Sequence, residues 1–450
     1  MRIPTSPPTL AQCLEQLTGD PDGFARLIRS GVGPEYKGRY RHWDNLKRRA
    51  APADLSPELW WAATKLARAS LTKPLPLLAS DGTPFQYSRT DGLMEMVHRI
   101  DRDASGRIEV AEEVTNPETR DQYLINSLIE EAITSSQIEG AATTRRVAKE
   151  MIRTGRSPRN VGERMVLNNF EAMEFIQRVR DRPLDVELIL ELHAIVCHDT
   201  VADSELGRIR TKDDILVLDV TDNTVLHHPP ADKSLEERLQ HLCDLANDRV
   251  PDYFMHPVVR SVLLHFGLAY HHPFVDGNGR VARALFYWSM LRQGFWLTQY
   301  LSISRVIKKA PVRYARSFLY TETDENDATY FVLYHLDVLR RSIDELHAYL
   351  AKSARQVRQT QQLLRRHREL NPRQIAVLNH ALRHPGYRYT IRGHRQAHRV
   401  AYQTARTDLL ELARRELLEQ ARSGKALVFH VPTDLAARIE SVDSGGPGNG

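Results

Sequence analysis

Apolar residues after Glu118 recur at intervals of three and four: Leu124, Ile125, Leu128, Ile129, Ala132 and Ile133, with Tyr123 just before them. That spacing places them on one face of an α-helix, a face that must be buried. Helical runs are also read over 163–179, 185–197, 234–247, 257–270 and 280–292, and a long Arg- and Gln-rich one over 334–368. Strand signals are few. Ile215–Leu218 and Thr224–His227 flank Thr221-Asp-Asn, a β-hairpin pattern closed by His227-His-Pro-Pro. The predicted class is mainly α. Ser56 ahead of Pro57 reads as a helix N-cap, and Gly140 as a left-handed C-terminal cap.

At 450 residues the chain is too long for one ordinary core. The patterning divides it into an N-terminal domain of unassigned role over 1–115, a helical domain over 116–345 and a connecting helix over 346–372. A small module over 373–432 and a disordered tail over 433–450 complete it. The small module has helices marked by Ile375, Leu378 and Leu382, by 391–400 and by 401–419, then a strand from Lys425: the outline of a winged helix-turn-helix. Between Ala351 and His430 there are seventeen Lys or Arg against five Asp or Glu, a local balance of +12 in a chain whose total is +5. This suits DNA contact through the C-terminal module, with Arg392, Arg395, Arg399 and Arg406 on phosphates, and equally a solvated basic face or protein docking.

Composition narrows the setting. No window approaches the roughly 18 uninterrupted apolar residues of a membrane span, and MRIPTSPPTLAQ lacks the apolar core of a secretory signal. Cys13, Cys197 and Cys243 lie far apart and are read as reduced thiols. The expectation is a cytoplasmic protein without membrane contact, with homodimerisation left open.

The chemistry concentrates in His271–Arg283, HHPFVDGNGRVAR. Gly277-Asn278-Gly279 lets the backbone curl so that successive amides face one concavity. A helix starting there adds its unpaired N–H groups and positive dipole end. Arg280 and Arg283, three residues apart, are expected on nearly the same face, so the loop forms a pocket for several phosphates. Asp276 suits a hard cation such as Mg²⁺, which takes one or two carboxylates plus phosphate oxygens. His272, neutral near pH 7, suits a base for an attacking hydroxyl. The pattern points to transfer of a phosphate-linked group from a nucleotide. A zinc hydrolase built from His265, His271, His272 and Asp276 is the weaker alternative, since Pro273 and the glycines spoil helical ligand spacing.

The string from His272 to Arg283 resembles the Fic family signature HxFx(D/E)GNGRxxR at every defined position, a likeness extending over roughly Asn116 to Glu345. The resemblance implies a helical Fic-type core that transfers AMP from ATP, with Mg²⁺, to a Ser, Thr or Tyr hydroxyl of unknown target proteins. By that likeness His272 is the catalytic base, Phe274 holds the loop, and Asp276 binds the metal. Gly277, Asn278 and Gly279 form the anion hole, and Arg280 and Arg283 contact the ATP phosphates. Relatives that phosphorylate carry Lys at position 279, so Gly279 favours adenylyl transfer. The hairpin resembles the family's target-aligning flap. Tyr314, followed by Ala315 where relatives often have a second tyrosine, stands where the adenine would lie.

Ser135-Ser-Gln-Ile-Glu139-Gly140 is similar to the inhibitory helix (S/T)xxxE(G/N) of the class with an N-terminal brake. Glu139 on Arg283 would take the guanidinium meant for the γ-phosphate and misplace the nucleotide for in-line attack. In some relatives the same glutamate helps remove AMP, so reversal stays open. The rival to a self-inhibited adenylyltransferase is a DNA-binding regulator whose Fic core senses nucleotide. UMP as the transferred group is a third reading.

Overall fold

The computed structural model describes residues 1–15, 17–18, 21–52, 55–104, 117–219, 222–366, 369–423 and 426–444. It divides into two compact units, one of residues 1–108 and 127–343 and the other of residues 109–126 and 344–450. The expected boundary near residue 115 lies outside the described residues.

In the first unit, helix α1 (Pro57–Ala69) begins as its sequence suggests: the Ser56 side chain accepts the Leu59 N–H and Pro57 occupies the first turn. Strands β1 (Thr72–Leu78) and β2 (Pro84–Ser88) form an antiparallel hairpin in register Thr72↔Ser88 and Lys73↔Tyr87. Helix α2 (Asp91–Ala104) follows. This hairpin was not assigned a purpose by its sequence, and its packing supplies one. Phe85 is fully buried, edge-on to Phe266 at 4.9 Å, and the Gln86 backbone bonds to Asn326 and Ala328. An aromatic pair of this geometry adds about 0.5–1.5 kcal/mol beyond its buried area.

Helix α3 (Pro117–Ile138) buries Leu128, and packs Ile129, Ala132 and Ile133 against Ala148, Met151 and Val166. Ile125, expected on that face, is exposed. The helix stops before Gly140, whose φ of +90° is the left-handed conformation expected there. Helices α4 (Val161–Arg178) and α5 (Val186–Cys197) carry Asn160 and Asp185 as N-caps. A two-stranded sheet follows, β3 (Val217–Leu218) and β4 (Val225–His227), paired Val217↔His227 and Leu218↔Val225. Residues 220 and 221 of its turn lie outside the description.

Helix α6 (Leu235–Ala246) leads to the central hairpin, α7 (Pro257–His271) and α8 (Asn278–Arg292). Both are buried nearly all round, polar residues such as Arg260, Arg280 and Arg283 included, with α4 and α5 packed on α8 and α6 on α7. The six residues between them are therefore anchored at both ends by core. Helices α9 (Pro311–Thr323) and α10 (Thr329–Arg366) follow. The last begins five residues before its sequence-based start and runs unbroken to Arg366, through most of the stretch over 346–372 read as a connecting helix.

The second unit has its own core. Helices α11 (Pro372–Arg383), α12 (Ile391–His398) and α13 (Tyr402–Arg414) pack with strands β5 (Arg388–Thr390), β6 (Glu419–Ser423) and β7 (Ala426–His430) in the order β5-β7-β6. Asp408 joins the helices: it accepts from Arg373 Nε at 2.7 Å, Asn371 Nδ2 at 2.8 Å and His394 Nε2 at 3.1 Å. The tail expected to be disordered from 433 forms helix α14 (Leu435–Ser444) instead, because Leu435 and Ile439, four apart, both enter this core. Residues 445–450 lie outside the description. Among the described residues no helix is long and apolar enough to cross a membrane.

Candidate active site

Helix α7 ends when His272 takes φ +49°, turning the chain out of the helix. Its ring lies partly covered, and Nδ1 faces the Ala269 carbonyl at 3.3 Å. A carbonyl only accepts, so Nδ1 carries the proton and Nε2 keeps its lone pair. Burial, with help from His227 and Arg210 nearby, lowers the His272 pKa to about 4, so the ring is neutral at physiological pH.

The loop is closed from inside. Asn278 Oδ1 accepts the Phe274 N–H at 2.9 Å while Nδ2 donates to the Phe274 carbonyl at 2.8 Å, a bidentate clasp across four residues. Phe274 is fully buried and stacked on His193, with centroids 3.9 Å apart. His193 Nε2 donates to the Asp276 carbonyl at 3.1 Å, and Nδ1 accepts from the Gly207 N–H at 3.0 Å. Gly277 has φ +83°, and a Cβ there would also strike Cys197 Sγ. No side chain caps α8, so its leading N–H groups are left for an external anion.

The two arginines part company. Arg280, fully buried, donates to the Val196 carbonyl at 3.0 Å and to Asp276 Oδ2 at 3.1 Å. These contacts hold α5 and orient Asp276, and Arg280 Nε is buried without a partner. Arg283 remains beside the anion cradle and is held by α3. Its Nε donates to Ser135 Oγ at 2.8 Å, and Nη2 donates to the Ser135 carbonyl at 3.1 Å and to Glu139 Oε1 at 2.7 Å. Nη1 is buried without a partner. Burial opposes the Arg283 charge, but Glu139 and its neighbours outweigh it and raise the pKa. Glu139 Oε1 comes so close to Gly279 that any Cβ at 279 would collide with it.

Asp276 is half exposed, with Oδ1 accepting the Gly277 N–H at 2.6 Å. Among the described residues no group of three or more His, Cys, Asp or Glu is placed to hold a metal ion. A single solvent-facing carboxylate beside an anion cradle fits a cation that arrives with phosphates, and it does not fit the three protein ligands of a zinc hydrolase. His265 Nε2, one of the ligands that alternative needs, is engaged with the Tyr314 hydroxyl at 3.0 Å. Tyr314 is buried among rings including Phe318 and His335, with Arg283 and Glu139 close enough to act on its hydroxyl.

Three further residues carry the site. Arg210, nearly fully buried, donates from Nε to the His272 carbonyl at 3.0 Å, from Nη1 to the Lys212 carbonyl at 2.7 Å, and from Nη2 to the Pro230 carbonyl. Its backbone N–H bonds to the Pro273 carbonyl at 2.9 Å. It thus ties both feet of the β3–β4 hairpin to the loop. Glu131, buried on α3, accepts from Ser302 Oγ at 2.8 Å, the Ser304 N–H at 3.1 Å and Ser304 Oγ. His193 is the third. Glu131 and His193 were visible as polar interruptions of apolar helix faces; Arg210 gave no signal beyond its place ahead of a hairpin.

The central hairpin of this helical domain brings together an imidazole, a carboxylate and an uncapped helix start. Residues 183–290 match the Fic/DOC family model. It is similar to the protein adenylyltransferase Fic of Nematostella vectensis, 30% identical over 169 residues, 36% of this chain and 37% of that protein. It is also similar to the protein adenylyltransferase fic-1 of Caenorhabditis elegans, 35% identical over 113 residues, 25% of this chain and 20% of that one. The chain thus spans well under half the length of these curated relatives. Among solved structures, a Fic family protein from Desulfovibrio desulfuricans G20 shares the fold at TM-score 0.51 and 22% identity, covering 77% of this chain and 98% of that one.

Proposed function

We propose that this chain transfers AMP from ATP to a hydroxyl side chain of a target protein, and that Glu139 holds the activity in check. The observation that carries the reading is the convergence on one loop of a neutral His272 with a free Nε2 and an uncapped helix start beside Arg283. In the reaction a target hydroxyl oxygen attacks the α-phosphorus, its proton passes to His272 Nε2, and the bond to the pyrophosphate oxygen breaks. Asp276 would hold Mg²⁺, which neutralises phosphate charge when bound. The α8 N–H groups orient the phosphates, and the edge of the β3–β4 hairpin aligns the target backbone by strand addition. The brake follows from the Glu139–Arg283 ion pair: while it persists, the guanidinium is unavailable to a terminal phosphate.

Incubation with labelled ATP and Mg²⁺ tests both parts. The parent should label itself weakly, Glu139→Gly at least about ten-fold more strongly, as expected for freeing a charge-assisted contact, and Glu139→Gly with His272→Ala not at all. Labelled UTP in place of ATP examines the alternative donor.

A second reading rests on the other unit. We infer a winged-helix module there, with Arg392, Arg395, Arg399 and Arg406 all exposed along α12 and α13 and no side chain capping α13. Failure of Glu139→Gly to label, together with salt-sensitive binding of duplex DNA, would favour a nucleotide-sensing regulator over an enzyme.

A further inference from the structure

A cavity of about 650 Å³ lies in the first unit, walled by the 35–45 segment, α2, α9 and α10, and touched by none of the loop residues 271–283. Its volume is within the usual range for small-molecule sites. Seven arginines line it against three carboxylates. Those carboxylates are committed: Asp337 to Arg340 and Arg341, each at 2.8 Å, Glu95 to Arg99 at 2.6 Å, and Glu35 to the Thr90 hydroxyl at 2.6 Å. Arg39, Arg41, Arg313 and Arg316 face the same space, and among the described residues none of them has a carboxylate within ion-pair reach. Arg41 Nε is buried with no hydrogen-bond partner, and burial together with the charges of Arg49 and Arg39 lowers the Arg41 pKa.

Four arginines without an ion-pair partner among the described residues, against one carboxylate bonded only to a hydroxyl, Glu35, leave the cavity net positive, a charge that an anion relieves. Guanidinium forks match adjacent phosphates, and Tyr334 and Tyr320, the latter stacked on His42 through one face, place aromatic rings on the same walls. On α9 the sides are distinct. Arg313, Arg316 and Tyr320 face the cavity, whereas Tyr314 and Phe318 face His265 and Phe266 in the core.

We propose that this cavity is a second binding site, separate from the loop, for a small ligand bearing two or more adjacent phosphates. Pyrophosphate and a nucleoside diphosphate share that chemistry; the tyrosine rings favour the latter. The inference does not depend on the proposed AMP transfer.

The experiment uses the full chain with Arg283→Ala, which removes the guanidinium of the loop site, and the same chain with Arg313→Ala and Arg316→Ala added. Calorimetry with ADP and with pyrophosphate reads affinity, and thermal unfolding reads ligand-induced stabilisation in both the parent and Arg313→Ala/Arg316→Ala backgrounds, so that a poorly folded Arg283 variant does not decide the matter. ADP should bind the Arg283→Ala chain, more tightly than pyrophosphate if the rings take part, and lose about ten-fold or more affinity when both cavity arginines go. Ligand-free Arg313→Ala/Arg316→Ala should melt no lower than the parent, since repulsion has been removed, while its pyrophosphate-induced rise in Tm shrinks. Equal affinity for both phosphates assigns the site to phosphate alone. Binding or stabilisation unaffected by loss of Arg313 and Arg316, or no binding of either probe once Arg283 is gone, would overturn the proposal.

Discussion

His272 illustrates how far a single residue can be read. Its identity and its loop suggested a base, but its basicity depends on the cover around it, which depresses the free-chain pKa to about 4. A depressed imidazole stays unprotonated down to that pH, so kcat/KM of Glu139→Gly should show no acid limb near 6.5 and fall only toward pH 4–5. An anionic triphosphate beside the ring would raise its pKa, so the limb in kcat should lie at higher pH than that in kcat/KM. A rate profile measured from pH 4.5 to 8 decides this; a kcat/KM limb at 6.5 would contradict the buried setting. Gly277 was legible as a turn residue, and its φ of +83° agrees. A further reason for glycine at 277 and 279, the nearness of Cys197 and Glu139, was not legible, since those contacts join residues far apart in the chain. The Arg280 bond to the Val196 carbonyl was not legible for the same cause: three-residue spacing fixes direction along a helix but not which neighbour lies opposite.

At the scale of elements, most helices could be placed from apolar spacing and caps, and the loop between α7 and α8 was bounded within two residues. What periodicity could not show is how that loop keeps its shape. Asn278 does it, bonding both backbone groups of Phe274. Asn278→Ala should leave a buried N–H and carbonyl unpaired and cost about 2–4 kcal/mol, read from the denaturant midpoint. A loss below about 0.5 kcal/mol would assign the shape to Phe274–His193 stacking instead. The C-terminal sheet was only a third legible, because β5 is three residues long and β6 carries Glu419, Gln420 and Arg422, so neither presents an apolar run. Helix α14 hid inside a Ser- and Gly-rich tail whose composition masked Leu435 and Ile439.

Across the whole molecule, buried imidazoles set the response to acid. Burial lowers His42, His193 and His272 to about 4 and His271 and His335 to about 3. Unfolded, each takes a proton near the ordinary value of about 6.5. Protons therefore favour the unfolded chain as pH falls from about 6.5 toward 4, at up to about 1.4 kcal/mol per pH unit for each group, with no such dependence above about 7. Melting at pH 7.5, 6.0 and 5.0 should show a Tm that drops progressively; a flat response would mean these rings charge while folded. The junction of α3 with the loop has a consequence of another kind. Both partners of the Glu139–Arg283 pair belong to one polypeptide, so they meet at an effective concentration that dilution does not change. The restraint proposed for this pair would be the same in a cell holding ten copies as in one holding ten thousand, and only an event that draws the end of α3 away from Arg283 would relieve it.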